Sequence, residues 1–240
     1  MAGQAPMPVL IIPGFMCDAR VVAGLVASIS AERAVQVALP IHGETIEDMA
    51  EAVLAHAPPS FALIGHGLGG VVAMAIAADA PERVDRLALM GTHPLKEAPS
   101  EASAREARIV AAKGGRVADA VLEEIPSGSL APGHGKLRVQ NEMRAMAEAL
   151  GAGVFERQSR ALMRRKDRQR SLREFRMPTK IIAGRHDSWS PLRRQEFMAE
   201  LIPDAELEVI DEAGHFPMLE APDAVNASLE RWLKGALLLL

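Results

Sequence analysis

The chain has 240 residues, of which 49% are hydrophobic, and a formal net charge of −4. That length suits one domain with an insertion, or two small domains, around a sizeable core, and the negative balance argues against a general nucleic-acid binder. One cysteine, Cys17, rules out an intrachain disulfide and a cysteine-rich zinc site and points to a reducing compartment, while the absence of tyrosine removes any phenol as acid or oxyanion donor.

Met1 to Pro8 carries no basic n-region, and the apolar run after it stops at Pro13-Gly14, so Val9–Ile12 reads as a strand rather than a signal peptide. Its unbroken apolar character is that of a strand covered on both faces. A helix through Val21–Ile29 and a strand near Val35–Leu39 follow, ending at Pro40-Ile41-His42-Gly43. Thr45 can cap a helix over Ile46–His56, with Asp48 as its capping-box partner, and Pro58-Pro59 stops it. Next come the run Phe61 to His66, a glycine-rich turn, and a small-residue helix ending at Asp79-Ala80-Pro81. Another buried strand, Arg86–Met90, leads to Gly91-Thr92-His93-Pro94. This β-α-β-α-β-α-β order with short connections predicts an α/β fold: a mostly parallel sheet with helices on both faces.

The pattern changes after residue 94. Glu101–Lys113, Val117–Glu124, Leu137–Leu150 and Val154–Arg165 all read as helices, separated by Gly and Pro clusters. An all-helical insertion over 94–177 is the expectation, between two parts of one body, 1–93 and 178–240. The α/β pattern resumes with Thr179–Ala183 and Gly184-Arg185-His186-Asp187-Ser188-Trp189-Ser190-Pro191, where Ser190 is placed to cap a helix with Pro191 at its first position. Glu206–Ile210 is the last strand, followed by Gly214-His215-Phe216-Pro217 and a closing helix over Asp223–Leu233. Leu237–Leu240 is too short to span a bilayer and reads as a helix end or a frayed tail. A soluble, cytoplasmic protein with no membrane or nucleic-acid partner is expected.

Charge is unevenly divided. Residues 94–177 carry 17 basic and 11 acidic side chains, while the remainder carries 10 and 20. The basic excess gathers at Arg164-Arg165-Lys166, Arg168, Arg170, Arg173 and Arg176. A solvated helical face accounts for such a run; alternatively, one or two of these arginines reach a cleft and attract an anionic substrate.

The glycine-rich turn fits two machines. Gly65, Gly67 and Gly70 match the dinucleotide fingerprint G-x-G-x-x-G. The same turn matches the nucleophile elbow G-x-S-x-G, except that Gly67 stands at the serine position. The fingerprint requires a carboxylate after the next strand, and Leu89-Met90-Gly91-Thr92 supplies none; it also belongs on the first strand of its unit, not the third. The elbow requires a later carboxylate and a histidine after the last strand, and Asp187 and His215 stand there in the required order. All these positions follow strands, at the ends where open α/β sheets place their sites.

Five stretches carry a family resemblance: IIPGFMCDAR at 11–20, GHGLGG at 65–70, PERVDRLALMGTHP at 81–94, GRHDSWSP at 184–191 and DEAGHFPMLEAPDAV at 211–225. Together they resemble the α/β-hydrolase superfamily in its small form with a helical lid, in the esterase, lactonase and C–C hydrolase branch that includes MenH-like enzymes. The resemblance implies that Gly67 occupies the nucleophile position, that His215 is the general base, and that Asp187 orients it. It also implies an oxyanion hole from the backbone N–H groups of Phe15 and Leu68, a small acyl substrate, and neither cofactor nor metal.

Glycine offers no oxygen to attack a carbonyl, so an acyl-enzyme route is closed as the chain is written. Three explanations stand open: a position changed to silence the enzyme, a His215–Asp187 base acting on water or a substrate C–H, or ligand binding without turnover. Cys17 reads as a packed residue rather than a substitute nucleophile, and Ser188 as support for the Asp187 loop. His66 and His186 read as supporting or surface residues. His42 and His93 end strands and can border the cleft. The residues that contact substrate are not readable.

Overall fold

A computed structural model describes residues 6–235; the first five residues and the Leu237–Leu240 tail lie outside it. Val9–Ile12 (β1) and Phe61–His66 (β3) are buried at every position, as unbroken apolar runs require of strands covered on both faces. Val35–Val37 (β2), Val84–Met90 (β4), Thr179–Gly184 (β5) and Glu206–Ile210 (β6) complete one sheet. Its order is β2-β1-β3-β4-β5-β6, with every neighbouring pair parallel.

The chain steps outward from β1 to β2, returns past β1 to β3, then runs one way to β6. Right-handed crossovers therefore put Ala23–Ile29 (α1) on one face and Ile46–Leu54 (α2) with Leu68–Asp79 (α3) on the other. Accordingly α2 packs on α3, and α1 on the closing helix. The change of direction falls between β1 and β3, where loops leaving the carboxyl ends diverge and open a crevice. Ile12 pairs with Gly65 at that end, so the turns Pro13-Gly14-Phe15 and His66-Gly67-Leu68 leave the sheet side by side. The close approach depends on Gly69: a Cβ there would strike the carbonyl oxygens of Ile12 and Pro13. The α3 residues Leu68–Ala77 are all buried, which is the environment an all-round apolar helix demands.

Between β4 and β5 lie Pro99–Ala111 (α4), Val117–Glu124 (α5), Gly135–Arg164 (α6) and Gln169–Leu172 (α7). A π-helical segment, Ala112–Arg116, joins α4 to α5, with Gly115 at φ 86°. The two helices expected over 137–165 form the single run α6, broken at Gly151 (φ 78°, ψ 171°); glycine reaches that backbone conformation without a Cβ clash. Leu192–Leu201 (α8), Pro217–Glu220 (α9) and Pro222–Lys234 (α10) close the chain.

Two cap expectations need correction. Ser190 does not cap α8: Pro191 is the cap residue, and the buried Ser190 Oγ has no partner. The reason is Asp187, whose Oδ1 takes the Ser190 N–H at 2.8 Å and turns the loop before the helix starts. At α2, Thr45 Oγ1 accepts the Asp48 N–H at 3.1 Å as expected, but the Asp48 carboxylate takes the Glu44 N–H instead of closing the box.

Candidate active site

The Phe61–His66 strand ends at Gly67, whose φ of 52° and ψ of −117° are strained for any residue with a Cβ. The chain then turns directly into α3. A Cβ built on Gly67 would lie 3.4 Å from His215 Nε2 and 3.6 Å from Gly14 Cα, ordinary contact distances. Position 67 thus has room for a small side chain aimed at the imidazole.

His215 Nδ1 lies 2.9 Å from Asp187 Oδ2. Both residues are buried. The other Asp187 oxygen accepts the Trp189 N–H at 2.9 Å and the Ser190 N–H at 2.8 Å, which fixes the plane of the carboxylate. With Nδ1–H donating to Asp187, His215 Nε2 carries the lone pair and faces residue 67. The imidazole is walled by Trp189, 4.6 Å between ring centroids, by His66 at 4.8 Å and by Phe216 at 5.0 Å.

His66 is a buried supporting residue, not a surface one. Its Nε2 is 2.8 Å from the His215 carbonyl oxygen. A carbonyl only accepts, so Nε2 carries the proton. Burial, with His215 beside it, pulls the His66 pKa down to about 3, leaving a neutral ring.

Phe15 and Leu68 end the two turns that leave the sheet side by side. Among the described residues neither N–H donates to a protein acceptor, which leaves two backbone donors of the kind an oxyanion hole requires. The Phe15 loop is held by a residue the sequence did not single out. Gln158 of α6, fully buried, accepts the Met16 N–H at 2.8 Å and donates to the Pro40 carbonyl at 3.0 Å. Met16 is in the left-handed region (φ 50°), and this bond helps hold it there. A signal was present: Gln158 lies on the helical face that also buries Phe155 and Leu162, where an amide needs partners.

The insertion also touches the histidine loop. The His215 N–H donates to the Ser129 carbonyl at 2.7 Å, Ser129 and Ser188 share a hydroxyl contact at 3.0 Å, and Glu220 accepts the Ala131 N–H at 3.0 Å and the Gly214 N–H. Burial raises the Glu220 pKa against the pull of these N–H groups.

The remaining sequence candidates separate. His93 is buried and lines the cavity above Gly67; burial and the charges of Arg165 and Arg194 push its pKa down to about 2. His42 and His186 are exposed and away from that cavity. Cys17 is buried with Sγ 3.3 Å from the Phe15 carbonyl, and burial pushes its thiol pKa up, against a thiolate nucleophile. Among the described residues no three His, Cys, Asp or Glu side chains are grouped to hold a metal, and no helix is long and apolar enough to cross a membrane.

The cavity holds about 390 Å³, within the usual range for small-molecule sites. Gly67, Leu68 and Gly91 form part of it, with Trp189 and Ser188 from the Asp187 loop, His93 after β4 and Arg194 of α8, and residues of α4, α5 and α6 contribute to the other side. Of the basic run after residue 163, Arg165 alone lines it. Arg164 pairs instead with Glu44 at 3.1 Å, and Lys166 and Arg168 with Glu47 at 3.2 and 3.0 Å. Part of the basic run therefore docks the insertion on Glu44 and the acidic start of α2, while Arg170, Arg173 and Arg176 are exposed to solvent.

His215 Nε2 faces the Cβ position of residue 67 and is placed to take a proton there. The comparisons agree with the fold. A pimeloyl-[acyl-carrier protein] methyl ester esterase from Aromatoleum aromaticum is 31% identical over 215 residues, 82% of this chain and 83% of that protein. A thermophilic esterase from Thermogutta terrifontis superposes with a TM-score of 0.85 at 25% identity, covering 96% of this chain and 90% of its own. The enol-lactonase from Burkholderia xenovorans shares the fold at the same TM-score, 0.85, with 22% identity over 97% and 93% of the two chains. The family model for the alpha/beta hydrolase fold matches residues 41–222, and the chain belongs to that family.

Proposed function

We propose that the protein carries the site of an acyl hydrolase for an ester, lactone or related compound, in which Gly67 stands at the nucleophile position and closes the acyl-enzyme route. In this reading residues 94–177 are a lid over a body of residues 1–93 and 178–240. The observation that carries it is the buried Asp187–His215 pair, with Nε2 set 3.4 Å from the Cβ position of residue 67. The 31% identical relative is a methyl ester esterase, which supports an ester. A reducing, cytoplasmic setting belongs to the same reading and rests on the single cysteine.

Gly67→Ser is the test. The serine Oγ would extend from that Cβ toward the imidazole, and hydrolysis of short-chain p-nitrophenyl esters should rise by roughly 10³-fold or more, given the 10⁶-scale loss when a triad member is removed. The backbone conformation should cost the variant roughly 1–3 kcal/mol of stability, read as a lower melting temperature. His215→Ala on top of it should erase the gain. A folded Gly67→Ser protein without any acyl hydrolysis would sink the reading.

A second reading is supported by the same intact pair and the two free N–H groups: His215 as a base on water. Nε2 would take a water proton as the oxygen bonds to the carbonyl carbon, and the Phe15 and Leu68 N–H groups would hold the oxyanion. Its collapse would expel the alkoxide, which recovers the proton from His215. Base action on a substrate C–H would use the same nitrogen. Either requires turnover by the Gly67 protein that His215→Ala abolishes; binding without turnover would instead mark a ligand-binding protein.

A further inference from the structure

We propose that the α6 wall of the cavity is a carboxylate subsite built on Arg165, so that the acyl compound taken carries a second, ionised carboxyl group. This rests on the acyl-site reading of the same cavity.

Four guanidinium groups line the cavity: Arg105, Arg108, Arg165 and Arg194. Three are already neutralised. Arg105 pairs with Glu97 and with Glu124, Arg108 pairs with Glu124 at 2.8 Å, and Arg194 lies 3.5 Å from Glu101. Among the described residues Arg165 has no carboxylate partner, and its Nε is enclosed without a hydrogen-bond acceptor. Glu97 and Glu101 act on it only at longer range.

Burial draws the Arg165 pKa down to about 10, which still leaves it charged at neutral pH. Arg165 is partly buried; a cation held so without a counter-ion keeps part of the cost of burial, and an arriving carboxylate would supply a partner without displacing an existing pair. A guanidinium presents a planar fork that matches a carboxylate with two parallel hydrogen bonds. Glu123, the lining carboxylate without an ion pair among the described residues, is exposed to solvent, so within the enclosed part of the cavity one free guanidinium matches one negative charge. The neighbouring His93 stays neutral and is bonded to Arg194, 3.1 Å from Nε2 to Nη1, so it neither adds a competing cation nor repels an anion.

The test is binding, read by calorimetry on the full Gly67 chain. The probes are the monomethyl esters of succinate, glutarate and adipate against their uncharged dimethyl esters. At least one half-ester should bind about tenfold or more tighter than its dimethyl counterpart, and added salt should weaken only the half-ester. Arg165→Gln should bring the two within about twofold, since a tenfold preference is a single charge-assisted contact. Arg165→Lys should retain part of the preference, and Arg164→Gln should leave it unchanged. Equal affinities in the parent protein would overturn the proposal, whatever the variants do. So would a preference that survives in a folded Arg165→Gln protein. Turnover plays no part in this readout. An inactive Gly67→Ser protein with the half-ester preference intact would remove the acyl reading alone. Neutral-ester hydrolysis by Gly67→Ser without the preference would remove the subsite alone.

Discussion

The sheet and the helical insertion solve the same problem with different chemistry. Around β1, β3 and α3 stability comes from apolar burial: nearly every side chain is enclosed and few polar atoms need partners. The insertion buries apolar side chains too, among them Ile109, Val139, Met146, Phe155 and Leu162, but adds buried ion pairs to them. Arg105, about 5% exposed, sits between Glu97 and Glu124, and Arg108 joins the same carboxylate. More pairs bind its far end to α2. An apolar core fixes backbone positions tightly, which suits residues that must hold hydrogen-bond geometry. A charged layer tolerates rearrangement and lines a cavity with selectable polarity. Asp187 and His215 follow strands of the first region; the cavity's charges belong mostly to the second.

The contrast can be broken most sharply at Arg105. Arg105→Met leaves the buried Glu97 carboxylate without its cation and Glu124 with Arg108 alone, and removing one partner of a buried pair costs about 3–5 kcal/mol. Limited proteolysis should then cut within residues 94–177 before the sheet, and the melting curve should acquire an early step. Uniform destabilisation of the whole chain would mean that the two regions do not differ as described.

Acid should attack the site end of the sheet next. His66 and His93 are neutral in the folded protein, with pKa values of about 3 and about 2 against an ordinary 6.5. Below 6.5 the unfolded chain binds protons that the folded chain refuses, so stability falls as pH falls, from about 6.5 toward about 3. Two such groups give a slope approaching about 2.7 kcal/mol per pH unit in the lower part of that window. Urea unfolding across pH 7 to 4 reads it, and His66→Gln should remove about half of the slope.

The smallest effect is expected at the insertion's outer rim. Arg164 and Glu44 are both about half exposed, so Arg164→Ala should change stability by no more than about 0.5 kcal/mol, and less in high salt. A larger loss would move the docking pairs into the same class as Arg105.

The sheet was legible because both-face burial writes itself as unbroken apolar runs, as at Phe61–Ile64, and because loops after parallel strands are where site residues collect. Asp187 and His215 could therefore be singled out before their contact was known. The insertion was harder to read. Gly151 breaks α6 without ending it, since the turns on both sides keep helical bonding. Arg164 and Arg165 are adjacent in the same run, yet one faces Glu44 and the other the cavity; which way each points is set by how α6 sits on the body, not by composition. Ser190 satisfied every local rule for a cap and lost its place to the Asp187 carboxylate, a competition visible only once the loop is folded.

The contacts of residues 129–131 impose a mechanical condition. This segment accepts the His215 N–H through Ser129, meets Ser188 beside Asp187, and gives the Ala131 N–H to Glu220. Lifting it would release the backbone that carries the His215 imidazole, so opening on that side would disturb the aim of that ring at residue 67. Gln158 places the same condition on the Phe15 loop. The edge formed by α4 makes neither of these contacts and meets α8 through the Arg194–Glu101 pair at 3.5 Å.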